Sequence, residues 1–197
     1  MTVSPALDRR FREAAAAAGL LDVAYDLTDS PIGTLLVAAT DRGLCRISFD
    51  PEPDRMTEEL AHAFGARVLR AAGPIEPVRR QLDEYFEGRR KQFELPVDLR
   101  PAAPFSRDVL RRLARVPHGE VTTYGALARA AGRPQAARAV GTVMNRNPIP
   151  IVLPCHRVIG ANGSLVGYGG GLERKERLLK LEGALDNTIL YAYTYRK

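Results

Sequence analysis

Regular patterning begins at Val23. Val23, Tyr25 and Leu27 alternate with Ala24 and Asp26 in the two-residue period of a half-buried strand. Ser30-Pro31-Ile32-Gly33 reads as a turn, residues 34–39 as a second strand, and Asp41-Arg42-Gly43 as a hairpin turn into residues 44–49. In that last run Cys45, Ile47 and Phe49 fall on one face, which marks Cys45 as a core thiol. The period then changes. Leu60, Phe64 and Val68, followed by Val78, Leu82 and Phe86, recur at helical spacing and predict helices over 55–72 and 74–87. Residues 93–99 alternate again, and Pro96 confines them to a sheet edge. Arg100-Pro101-Ala102-Ala103-Pro104 reads as a linker, so residues 1–100 form a small α/β domain with a leading helix.

Beyond the linker the pattern is helical. Phe105, Val109, Leu110 and Leu113 make one apolar face, ended by Pro117-His118-Gly119, which leaves His118 in a turn. Thr123 is placed to cap a helix over 124–131 that Gly132 closes. Pro134 suits the first turn of another helix, running to about Asn145. Two short helices across a tight turn predict a helix-turn-helix. The second opens Gln135-Ala136-Ala137-Arg138-Ala139-Val140-Gly141, a smooth surface with one long cation. Small residues allow close approach to a narrow groove, and Arg138 has the reach to enter the groove or the base stack. In the alternative arrangement the alanines pack on the neighbouring helix and Arg138 is an ordinary surface residue.

Charge sharpens this division. Residues 1–100 carry a net −3 and residues 101–197 a net +9, within a total of +6. A basic half beside an acidic one fits a polyanionic partner or an arginine-rich solvated surface. No apolar run approaches the ~20 residues of a membrane span. The segment around Asp8 to Glu13 and the alanines after it predict a short amphipathic helix more than a signal peptide, and the protein is expected to be intracellular. Cys45, Cys155 and the histidines His62, His118 and His156 show no zinc-ligand spacing, so no metal is expected.

The candidate chemistry lies in Ile149-Pro150-Ile151-Val152-Leu153-Pro154-Cys155-His156-Arg157-Val158-Ile159-Gly160. An apolar run, expected as a strand, ends at a proline and delivers a thiol, an imidazole and a guanidinium. A thiol attacks as thiolate, its ordinary pKa is ~8.5, and a nearby imidazole would lower it. Adjacent strand residues point to opposite faces, so Cys155 and His156 meet only if the chain turns at Pro154; otherwise a water bridges them. An imidazole base needs an orienting acceptor. In the helix expected over 172–182, Glu182 shares the face of Leu178 and Leu179, and an inward carboxylate at a helix C-terminus needs a partner, for which His156 is the candidate. Asn147 before Pro148 either ties this turn to the helix-turn-helix or is a plain turn residue. Residues 163–171 form a glycine-rich loop whose one aromatic, Tyr168, suits a flat ligand.

Pro154-Cys155-His156-Arg157-Val158-Ile159 resembles the signature of the O6-alkylguanine-DNA alkyltransferases, the methylated-DNA–protein-cysteine methyltransferases. The resemblance runs over about 105–183 and includes Tyr124, Ala-Ala-Arg-Ala-Val-Gly, Asn147-Pro148, the Tyr168 loop and Glu182. It implies a ribonuclease-H-like α/β N-terminal domain and a mostly α, winged-helix-like C-terminal domain over 101–185, followed by a tail. It implies DNA repair by direct reversal. Cys155 would take an alkyl group, once and irreversibly, from the O6 of guanine, and also the O4 of thymine, after base flipping. His156 would act as base through a water, oriented by Glu182, with Asn147 bracing the turn. Tyr124 would donate to the guanine ring and Arg138 would fill the gap in the stack. Ala136, Ala137, Thr122 and Ser106 join Tyr124 and Arg138 as expected DNA contacts. Met144, Pro150, Val158, Tyr168 and Gly169 line the expected pocket. No cofactor is implied. The implied partner is the minor groove of double-stranded DNA, met by a monomer in the free state that self-associates on DNA or not.

Two other readings stay open: a non-catalytic alkylated-DNA-binding module, against which Cys155 itself argues, and a cysteine hydrolase using Cys155, His156 and Glu182. The tail over 186–197, with Tyr191, Tyr193 and Tyr195 alternating, is packed, disordered or a self-association surface on sequence grounds.

Overall fold

The computed structural model describes residues 4–185. The chain divides between Pro101 and Ala102 into two compact units.

In the first unit, the alternating segments become β1 (Val23–Thr28), β2 (Leu35–Thr40) and β3 (Gly43–Phe49), joined as antiparallel neighbours. Between β1 and β2, Ser30 holds the turn by bonding its own loop at Gly33 and Ile32. β2 is buried from Leu35 to Ala39, as a central strand with both faces covered must be. Val23, Leu36, Ala38, Cys45 and Leu60 form a core cluster, and burial pushes the Cys45 thiol up to about 12. The leading helix, α1 (Pro5–Ala17), turns Glu13 to the backbone N–H groups of Ala72 and Gly73.

Two expectations need correction here. The helix predicted over 55–72 is α2 (Pro53–Phe64), and it stops at Gly65, whose φ of 133° lies outside the helical region. Val68, placed by its spacing on that helix, instead starts β4 (Val68–Arg70), which pairs in parallel with β1 and completes the sheet order β3-β2-β1-β4. Strand pairing outweighed the local periodicity of Leu60, Phe64 and Val68. The helix expected over 74–87 is α3 (Glu76–Phe86), entered through a single 3-10 turn. Residues 93–99 form no strand of their own. They attach to β3 by one bridge, Leu44 N–H to Pro96 O and Asp98 N–H to Leu44 O.

The second unit is built from α4 (Pro104–Leu113), β5 (Thr122–Thr123), α5 (Tyr124–Ala130), α6 (Ala137–Asn145), β6 (Val158–Ile159) and α7 (Leu172–Leu181). Val109, Leu110 and Leu113 of α4 are buried, as are Leu127 of α5 and Val140 of α6, and α4 packs on both. Thr123 caps α5 by accepting from the Ala126 N–H at 3.1 Å. Pro134 does not enter the second helix. Residues 133–136 close a turn through Ala136 N–H to Arg133 O, and α6 starts at Ala137. The two-residue strands β5 and β6 pair in parallel, Thr122 with Val158 and Thr123 with Ile159. This short pairing joins the start of α5 to the segment that follows Cys155.

Candidate active site

The apolar run before Cys155 is not a strand. Asn147 Oδ1 accepts from the Ile149 N–H at 3.1 Å, and Ile149 O accepts from the Leu153 N–H at 2.9 Å, which winds the run into consecutive turns. Ile151, β-branched and fully buried, is held at φ 75°, a conformation that costs energy and persists because its surroundings impose it. Pro154 has φ −81° and ψ 65°, and the Cys155 N–H bonds back to Leu153 O at 2.8 Å. That is an inverse γ-turn centred on the proline. The chain therefore does turn at Pro154, and Cys155–Arg157 then forms one 3-10 turn. At three residues per turn its side chains radiate in three directions instead of alternating between two faces.

Cys155 points toward Asn147. The Asn147 amide donates from Nδ2 to Leu153 O at 2.7 Å and to Cys155 Sγ at 3.1 Å. Asn147 is thus both turn residue and brace, and it stands two residues beyond the end of α6. The thiol is buried. Burial pushes it up to about 11, against the opposing effects of the Asn147 bond and the Lys175 charge. Of the two arrangements open to Cys155 and His156, direct contact and a bridging water, direct contact is absent. His156 Nε2 is taken by Glu182, and Nδ1 meets no hydrogen-bonding group among the described residues, so no direct bond joins the ring to Sγ.

His156 and Arg157 both turn to Glu182. His156 Nε2 lies 2.9 Å from Oε1, while Arg157 reaches Oε1 through Nη2 and Oε2 through Nε, each at 2.8 Å. The Arg157 fork also donates to Val116 O. Burial opposes ionisation of Glu182, but the bonds from His156 and Arg157 outweigh it and hold the carboxyl below its usual range. Burial likewise holds His156 below an ordinary imidazole, in spite of Glu182. An ionised carboxylate only accepts, so Nε2 carries the proton and donates, and Nδ1 of the neutral ring keeps its lone pair as an acceptor. Glu182 caps the end of α7 with Leu178 and Leu179 buried beside it, on the face their spacing defines.

Two participants were missed from sequence. Arg157 forms half of the buried ion pair with Glu182, and Lys175 is fully buried on α7. Lys175 Nζ donates to Val158 O, to Val166 O at 2.7 Å and to Gly167 O at 3.4 Å, and burial brings its pKa down to about 8. The signal was present, because Lys175 stands three and four positions before Leu178 and Leu179, the same spacing that placed Glu182. Tyr124 extends from the start of α5 to the same loop and donates to Val166 O at 3.0 Å. Burial raises its phenol, with Cys155 as the second cause.

Two bonded pairs, Asn147 with Cys155 and His156 with Glu182, therefore meet only through the adjacency of Cys155 and His156 in the chain, and Tyr124 lies within electrostatic reach of the sulfur. Met144, Pro150 and Val158 are buried, Tyr168 is half-buried, and Gly169 approaches Asn145 O, at the end of α6. Arg138 projects into solvent from the first turn of α6, with Ala136 and Ala137 half-buried beside it. Ser106 lies in the first turn of α4 and Thr122 in β5. Among the described residues, no three His, Cys, Asp or Glu side chains are grouped to hold a metal ion, and no helix is long and apolar enough to cross a membrane. Tyr191, Tyr193 and Tyr195 lie outside the described residues.

Comparison with known proteins places the chain in a family. Residues 23–99 match the family model of the 6-O-methylguanine DNA methyltransferase ribonuclease-like domain, and residues 104–184 that of the DNA binding domain of the same enzymes. A methylated-DNA–protein-cysteine methyltransferase of Methanosarcina acetivorans is 43% identical over 161 residues, covering 81% of this chain and 98% of the relative. One from Mycolicibacterium paratuberculosis is 44% identical over 165 residues, covering 81% and 92%. The crystal structure of Mycobacterium tuberculosis OGT in complex with DNA superposes with a TM-score of 0.72 at 38% identity, covering 85% of this chain and 97% of that one. The chain belongs to the 6-O-methylguanine DNA methyltransferase family.

Proposed function

We propose that this protein repairs DNA by moving an alkyl group from the O6 of guanine to Cys155, once per molecule. The observation that carries the reading is the order of groups around the sulfur: a buried thiol braced by Asn147, and a neutral imidazole whose Nδ1 is left as an acceptor because Glu182 holds Nε2. At a pKa of about 11 the thiol is protonated at rest, so the reaction needs a proton relay. A water between Sγ and Nδ1 takes the thiol proton to His156, and Glu182 stabilises the imidazolium that results. The sulfur attacks the alkyl carbon and the carbon–oxygen bond breaks. The electron pair stays on the guanine, whose ring accepts a proton from Tyr124. His156 and Tyr124 then recover their resting states by exchange with solvent. The thioether has no route back, which makes the protein a reactant. The same displacement at the O4 of thymine follows the same path.

DNA is the partner, met in the minor groove by the small-residue start of α6. The target oxygen is hidden in the duplex, so the nucleotide must be rotated out at a cost of a few kcal/mol. Arg138, exposed on α6, fills the gap, while Ala136, Ala137, Thr122 and Ser106 lie along the approach. Met144, Pro150, Val158, Tyr168 and Gly169 receive the base. The free protein acts as a monomer in the cytoplasm. Cys155→Ser tests the assignment. Transfer from a duplex carrying O6-methylguanine should vanish while affinity for that duplex stays near wild type. Transfer that persists in the variant would move the nucleophile elsewhere.

A further inference from the structure

The hydroxyl of Tyr124 has one proton and, in this structure, has already placed it. Oη donates to Val166 O at 3.0 Å, with Gly167 O at 3.5 Å. The same two carbonyls are also held by the buried ammonium of Lys175. The glycine-rich loop is therefore tethered twice, to α5 through Tyr124 and to α7 through Lys175. Lys175 also bonds Val158 O, three residues beyond Cys155, which ties the segment to the stretch that carries the nucleophile. Farther along, Gly169 approaches Asn145 O, so the loop runs from the start of α5 to the end of α6, the two helices of the helix-turn-helix. Cys155 is 4% exposed with the loop so placed.

We propose that the Tyr124–Val166 hydrogen bond is a latch that keeps the loop over 163–171 closed beside Cys155, and that an incoming base opens it by taking the Tyr124 hydroxyl as its own donor. This rests on the role of donor to the guanine ring given to Tyr124 above. One proton cannot serve Val166 O and a base edge together, so holding the loop and holding the base are alternatives. Lys175 keeps its grip on Val166 and Gly167 when Tyr124 lets go, so the loop swings from the α7 side and stays attached. Gly171, at φ 85° immediately before α7, provides the backbone freedom for that swing. Gly167 stands at φ 50°, where a side chain would strain the backbone beside Tyr124 Oη.

The test needs no DNA. Tyr124→Phe keeps the ring, which lies against Gly141, and deletes the donor. The full-length protein is treated with iodoacetamide, and carbamidomethylation of Cys155 and Cys45 is followed by peptide mass while amide hydrogen exchange is mapped. With the latch gone, Cys155 should react about tenfold faster, the change expected for one lost hydrogen bond. Exchange should rise over 164–170 and stay unchanged in α4 and α7, and Cys45 should react as before. An unchanged Cys155 rate overturns the latch. So does faster exchange that spreads through α4 and α7, because the whole unit has then loosened. Because no duplex is present, the latch can fail while alkyl transfer to Cys155 stands, and the reverse.

Discussion

The imidazole of His156 and the carboxylate of Glu182 meet at 2.9 Å with neither side chain exposed to solvent. The same carboxylate carries the Arg157 fork. Removing its charge does two things at once: it releases the tautomer that leaves Nδ1 as an acceptor, and it strands a buried guanidinium. Glu182→Gln should cost about 3–5 kcal/mol of stability, as expected when one partner of a buried ion pair is deleted. It should also slow transfer by about a hundredfold, at the low end of what general acid–base catalysis contributes. Urea unfolding and single-turnover transfer measured on the same preparation check both. Transfer at the wild-type rate would remove the His156–Glu182 pair from the chemistry.

The same groups set the acid limit of the fold. Burial keeps His156 from taking a proton that the unfolded chain takes near pH ~6.5, so stability falls as pH drops through that value. Glu182 is held below its usual range, so its contribution is full above the unfolded value of ~4.3 and is lost as pH falls beneath it. The two act in the same direction. Denaturant unfolding at pH 7.5, 5.5 and 4 should show a decline that steepens in the last interval. Stability that is level from pH 7.5 to 4 would contradict the assigned protonation states.

Asn147 makes three bonds that together fix the turn: to Leu153 O, to Cys155 Sγ and from the Ile149 N–H. Asn147→Ala leaves the Leu153 carbonyl and the Ile149 amide without those partners, at about 1–3 kcal/mol for each buried group left unsatisfied. The thiol loses a donor that favours its ionised form, so transfer should slow even in molecules that remain folded. Folded fraction by circular dichroism and transfer rate, measured together, separate the two effects. Full activity in a folded Asn147→Ala protein would make Asn147 a turn residue alone.

Arg138 is exposed in the first turn of α6, whereas Cys155 is buried. Arg138→Ala should therefore weaken transfer from a base inside a duplex by tenfold or more, roughly one lost stacking or groove contact. Transfer from a free O6-alkylguanine base should be nearly unchanged. Equal losses on the two substrates would exclude a role in base flipping.

The parts of this molecule that sequence revealed are those where local chemistry and tertiary demand agree. Thr123 caps α5 as its residue type and position required, and Glu182 faces inward with Leu178 and Leu179. Where the two compete, local pattern misled. Val68 continues the helical spacing of Leu60 and Phe64, but Gly65 ends the helix and β1 recruits Val68 as an edge partner. The run from Ile149 to Leu153 looks like a strand because its residues are β-branched and apolar. It is wound into turns by Asn147, and Ile151 bears the resulting strain. Lys175 was hidden for another reason. A lysine on a helix is ordinarily solvated, and only three converging carbonyls from β6 and the loop make it a buried one.

If Cys155 is consumed by alkyl transfer, protein and repaired guanine stand in a fixed ratio, and a stoichiometric mass measurement reads it. The intact protein is incubated with an excess of duplex carrying O6-methylguanine, and protein and peptide masses are taken at completion. The expected result is a gain of one methyl group per molecule, located on Cys155, with one guanine restored for each protein consumed. A protein that restores many guanines per molecule, or that restores them with no methyl on Cys155, would contradict it.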